Sequence, residues 1–248
     1  PLGGDEVRLV KERLGFDPDV AFHVPGEVRE AFDRWKAARA RDSAAWSERL
    51  DAWRSRQPAE AAAWEDALAG VLPDDLLATP PAWKTGEVVP TRKAGNTVVQ
   101  QIARQVPSLL CGSADLFESN LTAVHGAEPV RGGGYEGRNV FYGVREHAMG
   151  AIVNGLVLHG GVRAIGSTFL VFSDYMRPSI RLAAIMELPV IHVFTHDSVW
   201  VGEDGPTHQP VEHLDALRVI PGLRVVRPAD ARETVDAWRV ALRRAEGP

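Results

Sequence analysis

From residue 89 onward, short apolar runs alternate with longer segments of helical period. Lys93 to Gln105 reads as a helix and Leu109 to Gly112 as a strand. Asn120 to Asn139 is mostly loop, Val140 to Tyr142 a strand, and Arg145 to His159 a helix that is small or apolar nearly all round. Val162 to Ile165 is a strand, Tyr175 to Glu187 a helix, Val190 to Phe194 a strand, Arg224 to Val226 a strand, and Ala231 to Arg244 a helix. Strands and helices alternating at this spacing predict an α/β fold, a doubly wound, mostly parallel sheet with helices on both faces. A crossover helix ordinarily leads to another strand. With none after Arg244, the domain of residues 89–248 is expected to lack its last strand.

The first third has a different period. Asp5 to Leu14 is helix-like and stops at Gly15; residues 1–24 look like the middle of something longer. Pro25 to Gln57 is helical, with proline suited to the first turn. Val28, Phe32, Trp35, Trp46, Leu50 and Trp53 fall on one stripe of it, interrupted by Arg39 and Asp42. Such a stripe is expected to bury itself against a partner surface. Pro58 restarts the helix as far as Gly70, and Thr79-Pro80-Pro81 to Gly86 has the composition of a linker. Residues 25–88 therefore read as a helical arm and linker.

Composition narrows the function classes. The 248 residues are 45% hydrophobic and 25% charged, with a formal net charge of -5. A nucleic-acid or membrane-surface binder is ordinarily basic, so neither is expected. No apolar run approaches the roughly 18 residues of a membrane span. The single cysteine, Cys111, has no internal disulfide partner, reads as a core residue and fits a reducing, cytoplasmic setting.

Chemistry concentrates after the Val190–Phe194 run. Thr195-His196-Asp197-Ser198, then Gly202-Glu203-Asp204-Gly205-Pro206-Thr207-His208-Gln209-Pro210, is a loop leaving the carboxyl end of a strand. That is where ligands sit in open α/β sheets. Glu146 opens the Ala148–Gly155 helix, where the dipole favours an anion and a buried carboxylate is a candidate for proton chemistry. Phe169, Phe172 and Tyr175, spaced by three, would share a helical face and could stack on a planar heterocycle. Arg92 is placed to pair with a phosphate, and Ser119 could add a hydrogen bond. Gly132-Gly133-Gly134 fits neither a dinucleotide fingerprint nor a phosphate loop.

With these residues in order, the chain resembles transketolase, a thiamine diphosphate-dependent enzyme. Pro1-Leu2-Gly3-Gly4-Asp5-Glu6-Val7 is similar to the close of that family's first, diphosphate-binding domain. Arg92-Lys93, Gly112-Ser113-Ala114-Asp115-Leu116, Gly143-Val144-Arg145-Glu146, Ser167-Thr168-Phe169 and the His196–Pro210 stretch resemble successive motifs of its middle, pyrimidine-binding domain. The resemblance implies transfer of a two-carbon glycolaldehyde unit from a phosphorylated ketose to an aldose. It implies that Glu146 hydrogen-bonds the cofactor's pyrimidine ring nitrogen and promotes its nucleophilic form, and that Phe169, Phe172 and Tyr175 enclose the pyrimidine. His196 and His208 would contact the reacting hydroxyls and carbonyl, Asp204 a second hydroxyl, and Arg92 with Ser119 the sugar phosphate. Asp115 would lie near the cofactor and a subunit contact. Deoxyxylulose phosphate synthases and the dehydrogenase subunits that use the same cofactor share the domain and its glutamate. They are not expected to carry the Gly112–Leu116 motif together with His196 and the full Gly202–Pro210 loop.

Two departures follow from the same resemblance. Trp200 stands where the family ordinarily has glycine, which sets a narrower site or a strained backbone as the expectation. The chain also has no Gly-Asp-Gly run followed by a metal-binding Asn. Magnesium and the cofactor's diphosphate are therefore expected on a domain of another chain or subunit, within a homo- or hetero-oligomer. A copy serving only dimerisation or assembly is the alternative.

Overall fold

The computed structural model describes residues 2–248. They divide into two compact units, the first ending at Ala61 and the second beginning at Ala62. In the first, α1 (Gly4–Arg13) and α2 (Gly26–Arg56) bury no residue. Alanine and arginine dominate α2, so helix propensity sustains its 31 residues. Its stripe residues Phe32, Trp35 and Trp46 are exposed within this chain. Phe32 meets Trp35 edge-on at 6.4 Å, one turn apart. Next along the chain is α3 (Pro58–Ala69).

The second unit carries the sheet. After α4 (Thr91–Gln105) come β1 (Leu109–Ser113), α5 (Phe117–Asn120), β2 (Asn139–Phe141) and α6 (Glu146–His159). Then follow β3 (Arg163–Phe169), α7 (Ser173–Ile185), β4 (Ile191–Thr195), α8 (His213–Arg218) and α9 (Ala231–Arg243). The strand order is β2-β1-β3-β4, with every pairing parallel. Chain order reverses between β1 and β3, the switch point at which such sheets open a crevice. Val98, Ile102, Trp238 and Leu242 of α4 and α9 pack on one face of the sheet. Met149, Val153, Met176 and Ile180 of α6 and α7 pack on the other. The doubly wound α/β reading therefore holds. Residues 79–86 form no helix or strand, but Leu76 and Leu77 before them are buried in the first of these cores.

Three sequence expectations need correction. Arg224 to Val226 is not a strand. Among the described residues it pairs with no strand, and a cavity of about 570 Å³ is lined by Val193 and Phe194 of β4 together with Arg224 and Val226. The N–H of Arg224 instead donates to the carbonyl of Pro248 at 3.0 Å. Second, β3 runs on to Phe169, because Ser167 pairs with Ser113 and Phe169 with Thr195 along neighbouring strands. Phe169 thus ends a strand, Phe172 closes a 3-10 turn and Tyr175 lies in α7, so the three share no single helical face. Third, α6 is buried on one side only, with Ile152 and Leu158 exposed.

Close packing at the switch point dictates Gly112. A Cβ there would lie 2.1 Å from Cε2 of Tyr142, whose ring is buried. A Gly112→Ala chain is expected to unfold with about 1–3 kcal/mol less stability, the usual range for overpacking. Denaturant melts of the two proteins measure it; equal midpoints would mean that Tyr142 yields freely.

Candidate active site

At or near the carboxyl ends of β1, β3 and β4 lie small buried polar residues: Ser113, Ser167 and Thr195. Buried hydroxyls need partners, and here they find one another. Thr122 Oγ1 lies 2.7 Å from Ser167 Oγ, which donates to the Gly112 carbonyl. Ser113 Oγ donates to the Ser167 carbonyl and accepts from Asn120 Nδ2 at 3.1 Å. Thr195 Oγ1 donates to Asn120 Oδ1 at 2.6 Å. Its only proton is then spent, so the contact at 2.9 Å to His196 Nδ1 must be an N–H donated by the imidazole.

That assignment fixes the tautomer of His196. With the proton on Nδ1, Nε2 carries a lone pair, and Arg92 Nη1 sits 3.3 Å from it. The same Nη1 donates to the Ser119 carbonyl at 3.1 Å. Arg92, Ser119 and His196 therefore meet, although the side-chain hydroxyl of Ser119 takes no part in that contact. Burial, then the charge of Arg92, pulls the His196 pKa below its ordinary 6.5; Asp204 and Asp197 act in the opposite sense, and His208 in the same one. His196 is held uncharged near neutrality.

His196 also has a left-handed backbone, φ 53°, as does Asp115 at φ 63°, one residue past Ala114 beyond β1. Non-glycine residues in this region store strain, which clusters at functional sites. Asp197, next to His196, is held by Arg227 Nε at 2.5 Å.

The aromatics form a ladder rather than a helical face. Phe169 and Phe172 lie nearly parallel with centroids 6.0 Å apart, and Phe172 meets Tyr175 at 6.1 Å. His196 stacks on Phe169 at 3.7 Å. His208 stands edge-on to Phe172 at 5.2 Å and to Phe169 at 6.0 Å. Residues 196 and 208 thus converge on Phe169 and Phe172, and Tyr175 extends the ladder beyond Phe172. Tyr175 remains 65% exposed, so the ladder presents an open ring surface. Asp204 is exposed on the connecting loop, close enough for its charge to act on His196.

Glu146 is the first residue of α6 and only 7% exposed. Among the described residues its carboxylate has no hydrogen bond or ion pair. The helix packs on β3 and α7, the elements that carry Phe169 and Tyr175. A buried carboxylate without a partner is ready for a donor on an incoming ligand.

Trp200 does not show the strain expected of it. It lies outside the left-handed region, which Gly202 and Gly205 occupy instead, and its side chain is 89% exposed. Gly132 to Gly134 is an exposed tight turn closed by Arg131 and Gly134. Sequence reasoning missed Asn120, Thr195 and Arg227. A polar residue ending the apolar β4 run was a signal for Thr195; Asn120 and Arg227 carried none.

The transketolase pyrimidine binding domain family matches residues 87–248, and the transketolase thiamine diphosphate binding domain family matches residues 1–73. A transketolase of Halalkalibacterium halodurans is 48% identical over 248 residues, covering 100% of this chain and 37% of the relative. Transketolase from Leishmania mexicana superposes with a TM-score of 0.92 at 42% identity, over 100% of this chain and 37% of that one. A Pichia stipitis transketolase complex with sedoheptulose-7-phosphate gives 0.89 at 38% identity, over 100% of this chain and 38% of that one. The chain spans a little over a third of the length of these relatives. Among the described residues, no helix is long and apolar enough to cross a membrane. The fold agrees with these matches, and the chain belongs to the transketolase family.

Proposed function

We propose that this chain supplies the pyrimidine-binding half of a transketolase active site, moving a glycolaldehyde unit from a phosphorylated ketose to an aldose. The convergence of His196 and His208 on Phe169 and Phe172, with Tyr175 next in the ladder, is the observation that carries this reading. The residues fit thiamine diphosphate, since Glu146 is a buried acceptor without a partner and the ladder offers ring faces to a planar heterocycle. When bound, the cofactor supplies the electron sink for breaking and making the carbon–carbon bond.

The protein's own work is binding and proton placement. Glu146 would hold a proton against the pyrimidine ring nitrogen. Nε2 of His196, uncharged, would accept a proton from a substrate hydroxyl, and His208 would hydrogen-bond the carbonyl or hydroxyl beside it. Arg92, beside Ser119, would take the sugar phosphate; the sugar phosphate in the Pichia stipitis complex supports that substrate class. Asp204 would receive a further hydroxyl, and Asp115 would lie at the cofactor and the subunit contact.

On this reading residues 1–24 close a diphosphate-binding domain, 25–88 form the arm and linker, and 89–248 form the pyrimidine-binding domain. Magnesium and the diphosphate would be held by a domain on another chain or subunit. Mixing this chain with a chain carrying that domain, thiamine diphosphate and magnesium is expected to yield two-carbon transfer, and the chain alone none. Turnover by the chain alone, or none by the mixture, would overturn the proposal. An assembly-only role predicts a complex that forms without retaining the cofactor.

A further inference from the structure

One residue before Tyr175, the chain turns a different side chain toward α8. Oδ2 of Asp174, in the first turn of α7, lies 3.2 Å from Nε2 of His213, the first residue of α8. Oε2 of Glu212 lies 3.8 Å from Nδ1 of the same ring. One ligand atom from each of the three residues falls within 4.8 Å of the others. The two carboxylates are exposed, but the imidazole is 5% exposed and neither of its nitrogens makes a hydrogen bond.

A buried imidazole with both nitrogens unmet is unfavourable, and the carboxylate beside it is not aligned to relieve it. The spacing suits another partner. Two ligands bonded at about 2.1 Å to a tetrahedral ion stand roughly 3.4 Å apart, near the 3.2 Å between Asp174 and His213. Two carboxylates neutralise a dication, and an imidazole ligand selects zinc or its neighbours over magnesium and calcium.

We propose that Asp174, Glu212 and His213 bind one divalent transition-metal ion of the zinc type, held between Nε2 of His213 and Asp174, with Glu212 turning in from the Nδ1 side and water completing the coordination. The ion would clamp the start of α7 to the start of α8. It would thereby tie the segment carrying Phe172 and Tyr175 to the end of the loop carrying His208. The site uses no residue assigned to the cofactor, and it stands or falls independently of the transferase reading.

Calorimetric titration of zinc chloride into the chain tests it. One ion per chain in the micromolar range is expected, with no heat from magnesium. Asp174→Ala and Glu212→Ala alter exposed side chains, so folding is preserved; each should weaken binding by roughly tenfold or more. His213→Gln should abolish it, and cobalt should give a visible absorption band that the Asp174→Ala chain loses. No binding, or a dissociation constant unchanged in the Asp174→Ala and Glu212→Ala chains, would overturn the proposal. The second result would place the metal on other histidines and leave the three residues a plain ion pair.

Discussion

Glu146→Gln in the assembled enzyme is expected to lower two-carbon transfer by about 10²–10⁴-fold, the range over which a positioned proton-transfer group acts. Glutamine preserves the volume and the hydrogen-bonding reach at the mouth of α6, but its amide cannot hold and return a proton at neutral pH. The substitution also removes a negative charge from a helix N-terminus, worth about 0.3–1 kcal/mol. A rate loss of 10²–10⁴-fold corresponds to roughly 3–5 kcal/mol. Helix stability alone therefore cannot account for it. Steady-state rates and thermal midpoints measured side by side separate the two. A Glu146→Gln enzyme that keeps its rate would remove Glu146 from the chemistry, whatever the fold.

Glu146 illustrates what a sequence discloses. A single acid at the head of an apolar helix is visible because its neighbours are not acids. His196 and His208 are legible for a related reason: they stand among glycines and prolines directly after an apolar strand, where a chain has left the core. The buried network beneath them is different. Ser113, Asn120, Ser167 and Thr195 are ordinary small polar residues, separated by as many as 82 positions. They become one unit only through the parallel register that sets Ser113 against Ser167 and brings Thr195 level with Phe169. Register is a tertiary quantity that no local period encodes. The aromatic ladder shows the same limit. Its spacing by three suggested a helix, but strand pairing extended β3 through Phe169, and tertiary context overrode the local period. The unpaired Arg224–Val226 segment fails as a strand for want of a neighbour, although its residues favour one.

A second large effect is expected from a histidine outside the proposed chemistry. His192 is the second residue of β4, beside the groove, and both ring nitrogens are shut off from solvent without a partner. Phe194, two residues on, is its ring neighbour at 6.2 Å. Burial alone pushes its pKa from 6.5 down to about 4. The sign follows from the charged form being the one disfavoured in the fold. Above pH 6.5 the ring is neutral in both states and exacts no penalty. As the pH falls, the unfolded chain takes up the proton first, and stability drains away until the folded ring also protonates near pH 4. The loss from this one group is about 3 kcal/mol, a large share of the 5–15 kcal/mol that holds a typical domain together. Chemical denaturation of the chain at a series of pH values between 7 and 4 should show that decline beyond whatever the carboxylates contribute. A His192→Phe chain, which keeps a flat ring in the strand, should show a curve shallower by that amount. Parallel curves would mean that the imidazole finds water or a hydrogen-bond partner in solution, and that β4 and the groove beside it open more readily than their packing implies.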